Sequence, residues 1–205
     1  MLELFHFDER FRGDSPGRVA GVDEVGRGPL AGPVVAAAVL FHRKVRLPLL
    51  NDSKKLSPKT RESLFREIAR AALIGIGSVS ESLIDEVNIF QATRLAMRQA
   101  VLAIPRTPNL LLIDGKIHLD LPLPQIGIVR GDAQSAAIAA ASIVAKVYRD
   151  SLMNELDKIY PEYGFAVHKG YPTEHHLRML RLKGASPVHR KTFRPVADTL
   201  GEVLR

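Results

Sequence analysis

The sequence predicts an α/β fold: a mixed five-stranded sheet flanked by helices, with a small C-terminal helical extension. Three observations carry this. Two Val-rich and Ala-rich runs, VAGVDEV (19–25) and GPVVAAAVLF (32–41), are joined by a Gly- and Pro-containing turn and read as an antiparallel hairpin. Short apolar runs then alternate with stretches of helical periodicity, the pattern of a sheet covered by helices. Finally, 205 residues, 46% hydrophobic and 25% charged, suit one full core rather than two domains.

Residues 1–17 are mixed in character and punctuated by Gly13, Pro16 and Gly17, so they are expected to form an N-terminal arm before a core that spans 18–160. The first strand runs directly into Asp23 and Glu24. Ser57 followed by Pro58 marks a helix start, since serine caps free N–H groups and proline suits the first helical position. That helix is expected over 58–72. LIGIGSVS (73–80) reads as a strand, and 88–104 as a helix with Ile89, Thr93, Ala96, Met97, Ala100 and Ile104 on one face. NLLLID (109–114) is a continuous apolar run ending in a carboxylate, as in a strand buried on both faces. IGIV (126–129) follows the proline-broken stretch 119–125, and residues 131–160 read as one long helix opened by Asp132. A loop over 161–172, a helix over 173–183 stopped by Gly184, and a last short helix complete a basic C-terminal region, 161–205, in the same compact unit.

Lys and Arg total 29 against 22 Asp and Glu, a net charge of +7, with a pI near 9.9. Such a balance favours a polyanionic partner, nucleic acid before an anionic membrane surface. With no cysteine there is no disulfide framework and no thiolate metal site, so a metal must be held by oxygen or imidazole; this fits a cytoplasmic protein. The N-terminus has no uninterrupted apolar segment of the secretory kind, and no run of about 18 apolar residues could span a bilayer.

Asp23 and Glu24 end an apolar strand, where two acids are costly to desolvate without a counter-charge. They either solvate there or pair with Arg27, or they hold an ion. Asp114 ends the most apolar strand, where open α/β sheets place their ligands, yet alone it could be a simple loop acid. Asp132 opens the long helix and, taken alone, reads first as an N-terminal capping carboxylate. If the four converge, their oxygen donors form a hard site that prefers Mg²⁺ or Mn²⁺. Two such ions about 4 Å apart would activate a water and stabilise the departing oxygen of a phosphodiester.

The segments DEVGRG (23–28), NDSKKLS (51–57), LLIDG, RGDAQSAAIAAASIVAKVYRD, GYPT (170–173) and SPVHRKTF (186–193) resemble, in order, the blocks of the bacterial ribonuclease HII family. The likeness runs from about Arg18 to Phe193 and implies a ribonuclease H-like fold in which Asp23, Glu24, Asp114 and Asp132 are the catalytic, metal-holding acids. It implies an endonuclease acting on RNA/DNA hybrids, or on a DNA duplex containing ribonucleotides, that leaves a 3'-hydroxyl and a 5'-phosphate. Without a long N-terminal extension the chain does not look like the related type III enzymes.

By the same resemblance, Gly26, Arg27 and Gly28 would contact the nucleic-acid backbone and sense the ribose 2'-OH; the glycines can also simply make the turn. Tyr171 resembles a tyrosine that stacks near the sugar at the RNA/DNA junction, although such an aromatic can be a plain loop anchor. Lys54, Lys55, Ser142 and Lys146 are placed for phosphate contacts, against the default of solvated side chains. From His168 to Arg194, seven Lys and Arg residues face a single acid, Glu174, a net +6 that would release counterions on binding phosphates. Within it His168, Lys169 and Arg190 are candidate substrate contacts. The histidines of this segment, His168, His175, His176 and His189, form no convincing zinc site and read as phosphate contacts or plain surface.

Two other functions fit parts of the sequence. A basic RNA-binding module would explain the charge but leave the four acids unexplained. A small-molecule phosphatase would not need the basic tail, and no phosphate-cradling glycine loop of the G-x-x-x-x-G-K-[ST] kind is present. The C-terminal VADTLGEVLR carries no clear sliding-clamp peptide, and the expected state is a monomer.

Overall fold

The computed structural model describes residues 2–11, 18–43, 45, 47–50 and 56–202. Helix α1 (Leu2–Glu9) precedes β1 (Val19–Val25) and β2 (Val34–Phe41). Then come α2 (Pro58–Ala71), β3 (Ala72–Val79), α3 (Glu81–Leu102), β4 (Leu110–Asp114), β5 (Gln125–Ile128), α4 (Ala136–Ile159), the short α5 (Phe165–His168), α6 (Glu174–Lys183) and α7 (Arg194–Glu202). Among the described residues the five strands form one mixed sheet in the order β3-β2-β1-β4-β5. β1 lies antiparallel to β2 and parallel to β4, and β4 lies parallel to β5.

The strand pleat divides the sheet into two apolar layers. Ala20, Val22, Ala36, Ala38, Leu111 and Ile113 pack with Ala96, Met97 and Ala100 of α3. On the other face Val35, Ala37 and Val39 pack with Leu64 and Ile68 of α2 and with Ala140 and Ile143 of α4. Small residues let the helices come unusually close. A Cβ added at Gly21 of β1 would lie 2.1 Å from the Ala137 carbonyl carbon, and one at Gly77 of β3 would lie 2.0 Å from the Ala96 oxygen.

Several boundaries differ from the expectations, for local reasons. The N-terminal arm contains α1, and its Asp8 carboxylate accepts the backbone N–H of Ala137 at the start of α4. The helix expected from residue 88 is the second half of α3. An earlier segment, capped by Ser80, runs into it through a kink at Asn88, where φ is 69° and the side chain accepts N–H groups of Phe90 and Gln91. The long helix expected over 131–160 begins at Ala136 with Ser135 as its cap; Asp132 sits instead in a separate 3₁₀ turn, Gly131–Ala133. The loop expected over 161–172 holds a 3₁₀ turn and α5. Among the described residues no helix is long and apolar enough to cross a membrane.

Because the obstacle at Gly21 is helix backbone rather than a movable side chain, Gly21→Ala is expected to lower the unfolding free energy by about 3 kcal/mol, the upper end of overpacking costs. Urea titration of wild type and variant, at equal slope, measures it.

Candidate active site

The carboxyl ends of two adjacent parallel strands bring acids together. Asp23 of β1 shares the α4 side of the sheet with Gly21, and Asp114 of β4 shares it with Leu112, as the pleat requires. Glu24 falls on the opposite side. Asp23 is 6% exposed; one of its oxygens accepts the Glu24 backbone N–H at 2.7 Å, and the side chain also hydrogen-bonds Ser142 of α4. Burial, then the charges of Glu24 and Asp114, push its carboxyl well above the ordinary range. Glu24 is also raised, by burial first, against the opposing effect of Arg27.

Compensation is partial. Arg27 Nη1 lies 3.2 Å from Glu24 Oε1, but the guanidinium is 45% exposed, so this ion pair is screened. Glu24 Oε2 is buried with no hydrogen-bond partner among the described residues. Asp114 Oδ1 accepts the Gly131 N–H at 2.7 Å, which draws the 3₁₀ turn, and with it Asp132, toward the end of β4. An all-oxygen donor set with a buried unpartnered oxygen and mutually repelling carboxylates suits a hard divalent cation. As they stand, no three acidic or imidazole side chains among the described residues are gathered closely enough to hold one.

Next to the acids, Gly26 to Pro33 form a tight turn. Gly26 has φ of 93°, and a Cβ there would lie 2.2 Å from Arg149 Nε, so only glycine fits. The Tyr171 ring, 42% exposed, lies beside Gly28, whose added Cβ would meet Tyr171 Cε1 at 3.5 Å. Backbone joins the two segments, with the Leu30 N–H donating to the Gly170 oxygen at 2.8 Å.

Other expected contacts fare differently. Lys54 and Lys55 lie outside the described residues. Ser142 is buried against Asp23 rather than open to a phosphate, and Lys146 pairs with Asp150 at 2.8 Å. Lys169, at a left-handed φ of 52°, donates to Asn154. Arg190 is not a surface contact: it is fully buried, and its hydrogen bonds go to the carbonyls of Gly26, Arg27 and Gly32. His176 and His189 are likewise buried, bonded to each other at 2.9 Å, and not surface groups. His168 is half-buried, with Nε2 2.7 Å from the Tyr163 oxygen. Arg149, not foreseen, was legible as the one cation on the buried face of α4, at helical spacing from Ser142, Ala145 and Met153.

A family model described as Ribonuclease HII matches residues 20–196. A ribonuclease HII of Lactobacillus helveticus is 52% identical over 201 residues, covering 97% of this chain and 79% of the relative. Among solved structures, the ribonuclease H2 of Pyrococcus horikoshii superposes with a TM-score of 0.79 at 26% identity, over 92% of this chain and 99% of that one. The ribonuclease HII of Archaeoglobus fulgidus, solved in complex with PCNA, gives 0.72 at 26% identity, over 86% and 95%.

The raised carboxyl of Asp23 fixes a sign. A carboxyl lifted on folding stabilises the fold below the ordinary aspartate value of 3.8 and loses that contribution as pH rises through its folded value. In metal-free protein, Asp23→Asn is therefore expected to raise the melting temperature at pH 7, with the gain shrinking toward pH 4. A gain independent of pH would contradict this.

Proposed function

The chain belongs to the ribonuclease HII family and has the ribonuclease H-like fold of an endoribonuclease, and from that premise we propose how it works. It hydrolyses the RNA strand of RNA/DNA hybrids and nicks on the 5' side of a ribonucleotide embedded in duplex DNA, leaving a 3'-hydroxyl and a 5'-phosphate. Its role on this reading is removal of ribonucleotides from DNA in the cytoplasm.

The observation that carries the reading is the pair Asp23 and Asp114, set at the carboxyl ends of adjacent parallel strands, with Glu24 Oε2 buried beside them and unpartnered among the described residues. With Asp132, these acids would hold two Mg²⁺ or Mn²⁺ ions, which when bound supply activation of a water and neutralisation of charge on the departing oxygen. Ser142 orients Asp23 by hydrogen bonding, and the Gly131 N–H does the same for Asp114.

Substrate recognition falls to the neighbouring turn. With no side chains at Gly26 and Gly28, backbone can approach backbone and meet a ribose 2'-OH, while the exposed Arg27 reaches a phosphate and Tyr171 stacks on the sugar at the junction. Lys54, Lys55, Lys146 and Lys169 supply phosphate contacts, together with the exposed Arg178, Arg181, Lys183 and Lys191 of the 161–205 region. Affinity should then fall steeply with salt.

A DNA duplex carrying one ribonucleotide, incubated with Mg²⁺ or Mn²⁺, is expected to be nicked 5' of it. Asp23→Asn and Asp114→Asn should each lower kcat by more than about 100-fold, since even outer-shell partners of a metal are worth about 10- to 100-fold. Tight binding with no cut on this substrate or on a continuous hybrid would overturn the proposal in favour of a binding module.

A further inference from the structure

Two guanidiniums are buried beside the turn with their hydrogen bonds ending on backbone carbonyls. Arg149 of α4 donates to Pro33, Lys169 and Ala31 at 3.0, 3.0 and 3.1 Å. Arg190 donates to Gly26 at 2.6 Å, to Arg27 at 3.1 Å, and twice to Gly32 at 2.7 and 3.0 Å. Burying them side by side is costly: desolvation, then the charge of Arg149, brings Arg190 down to about 9. Without these donors the carbonyls of a turn this tight would be left unpaired.

His189, the residue before Arg190, starts a second string of bonds in the opposite direction. Its Nδ1 accepts from the Ser186 N–H at 3.0 Å and lies 2.8 Å from the Ser186 hydroxyl; its Nε2 meets His176 Nε2 at 2.9 Å; and His176 Nδ1 lies 2.9 Å from the Tyr171 oxygen. A carbonyl can only accept, so His176 carries its proton on Nδ1. A backbone N–H can only donate, so His189 Nδ1 is bare and the proton between the two rings belongs to His189. One pair of neutral tautomers fits the string, with the Ser186 N–H and hydroxyl sharing the single Nδ1 lone pair of His189. Tyr163 and Phe165 wall the pair, and His168 stacks on His176 at 4.6 Å.

The two strings meet in one dipeptide. Through His176, His189 holds the carbonyl of Tyr171; Arg190 holds those of Gly26 and Arg27; and the Arg190 N–H is itself fixed on the Leu30 oxygen at 2.8 Å. We propose that His176, His189 and Arg190 are positioning residues that keep the Gly26–Gly28 turn and the Tyr171 ring in fixed register, so that a single ribose is read at one defined place. This rests on the function proposed above.

Imidazole ¹⁵N NMR of the full-length, Mg²⁺-loaded protein is expected to show His176 protonated on Nδ1 and His189 on Nε2; the opposite tautomers would overturn the proposal without any substrate. Cleavage then compares a duplex containing one ribonucleotide with a continuous hybrid. His176→Phe keeps the ring but removes the bond to Tyr171, and should lower the ratio of kcat/KM on the two substrates by about 10- to 100-fold, the scale of a small misplacement. His176→Asn, whose amide can replace Nδ1, should restore most of it. An unchanged ratio in a natively folded His176→Phe, or equal losses on both substrates, would reduce these residues to structural support. If that variant does not fold, Arg190→Lys carries the same comparison. Wild type that cuts neither substrate would remove the functional reading itself.

Discussion

Holding Asp23 and Asp114 at neighbouring strand ends inside a largely apolar sheet sets the terms for everything around them. Like charges in a poorly solvated place repel, and the protein answers with a few short hydrogen bonds, from the Glu24 N–H, Ser142 and the Gly131 N–H. These orient the acids without neutralising them. Arg27, paired with Glu24, stands half in solvent. The arrangement is one of orientation bought with residual repulsion, the condition in which a carboxylate set has most to gain from a divalent cation.

That arrangement requires precise helix placement, and small residues supply it. α4 lies so close over Gly21 that its Ser142 reaches Asp23, and its Arg149 reaches the carbonyls of the glycine turn. A bulkier first strand would push α4 outward, drawing Ser142 away from Asp23 and Arg149 away from the carbonyls of the turn. Packing on the sheet and geometry at the site are therefore the same contact seen from two ends.

The strands and most helices were legible because their signals are local: apolar runs of strand length, Ser57–Pro58, Thr173, Gly184. Asp23, Glu24 and Asp114 were legible at strand ends, while the joint role expected of the four acids came only from the family resemblance. Asp132 was assigned to the wrong element, because Ser135, three residues on, makes the better cap and leaves Asp132 in its own turn. Arg190 misled because arginine is usually exposed, and His176 and His189 because histidine is as often at the surface as inside. Arg190 is buried by carbonyls 158 to 164 residues away, and the two histidines by each other and by nearby loop atoms, neither of which helical or strand periodicity reports.

The Arg190–Gly26 bond closes a span of 164 residues. A chain emerging during synthesis exposes all four acids once α4 has been made, while the turn beside them still lacks the guanidinium that fixes its carbonyls. Long-range contacts of this kind form late because the intervening loop must first be closed. The four acids and the carbonyls of the neighbouring turn are thus fixed at different times. A chain released before residue 190 would carry the four acids beside a turn whose Gly26 and Arg27 carbonyls still lack their donor.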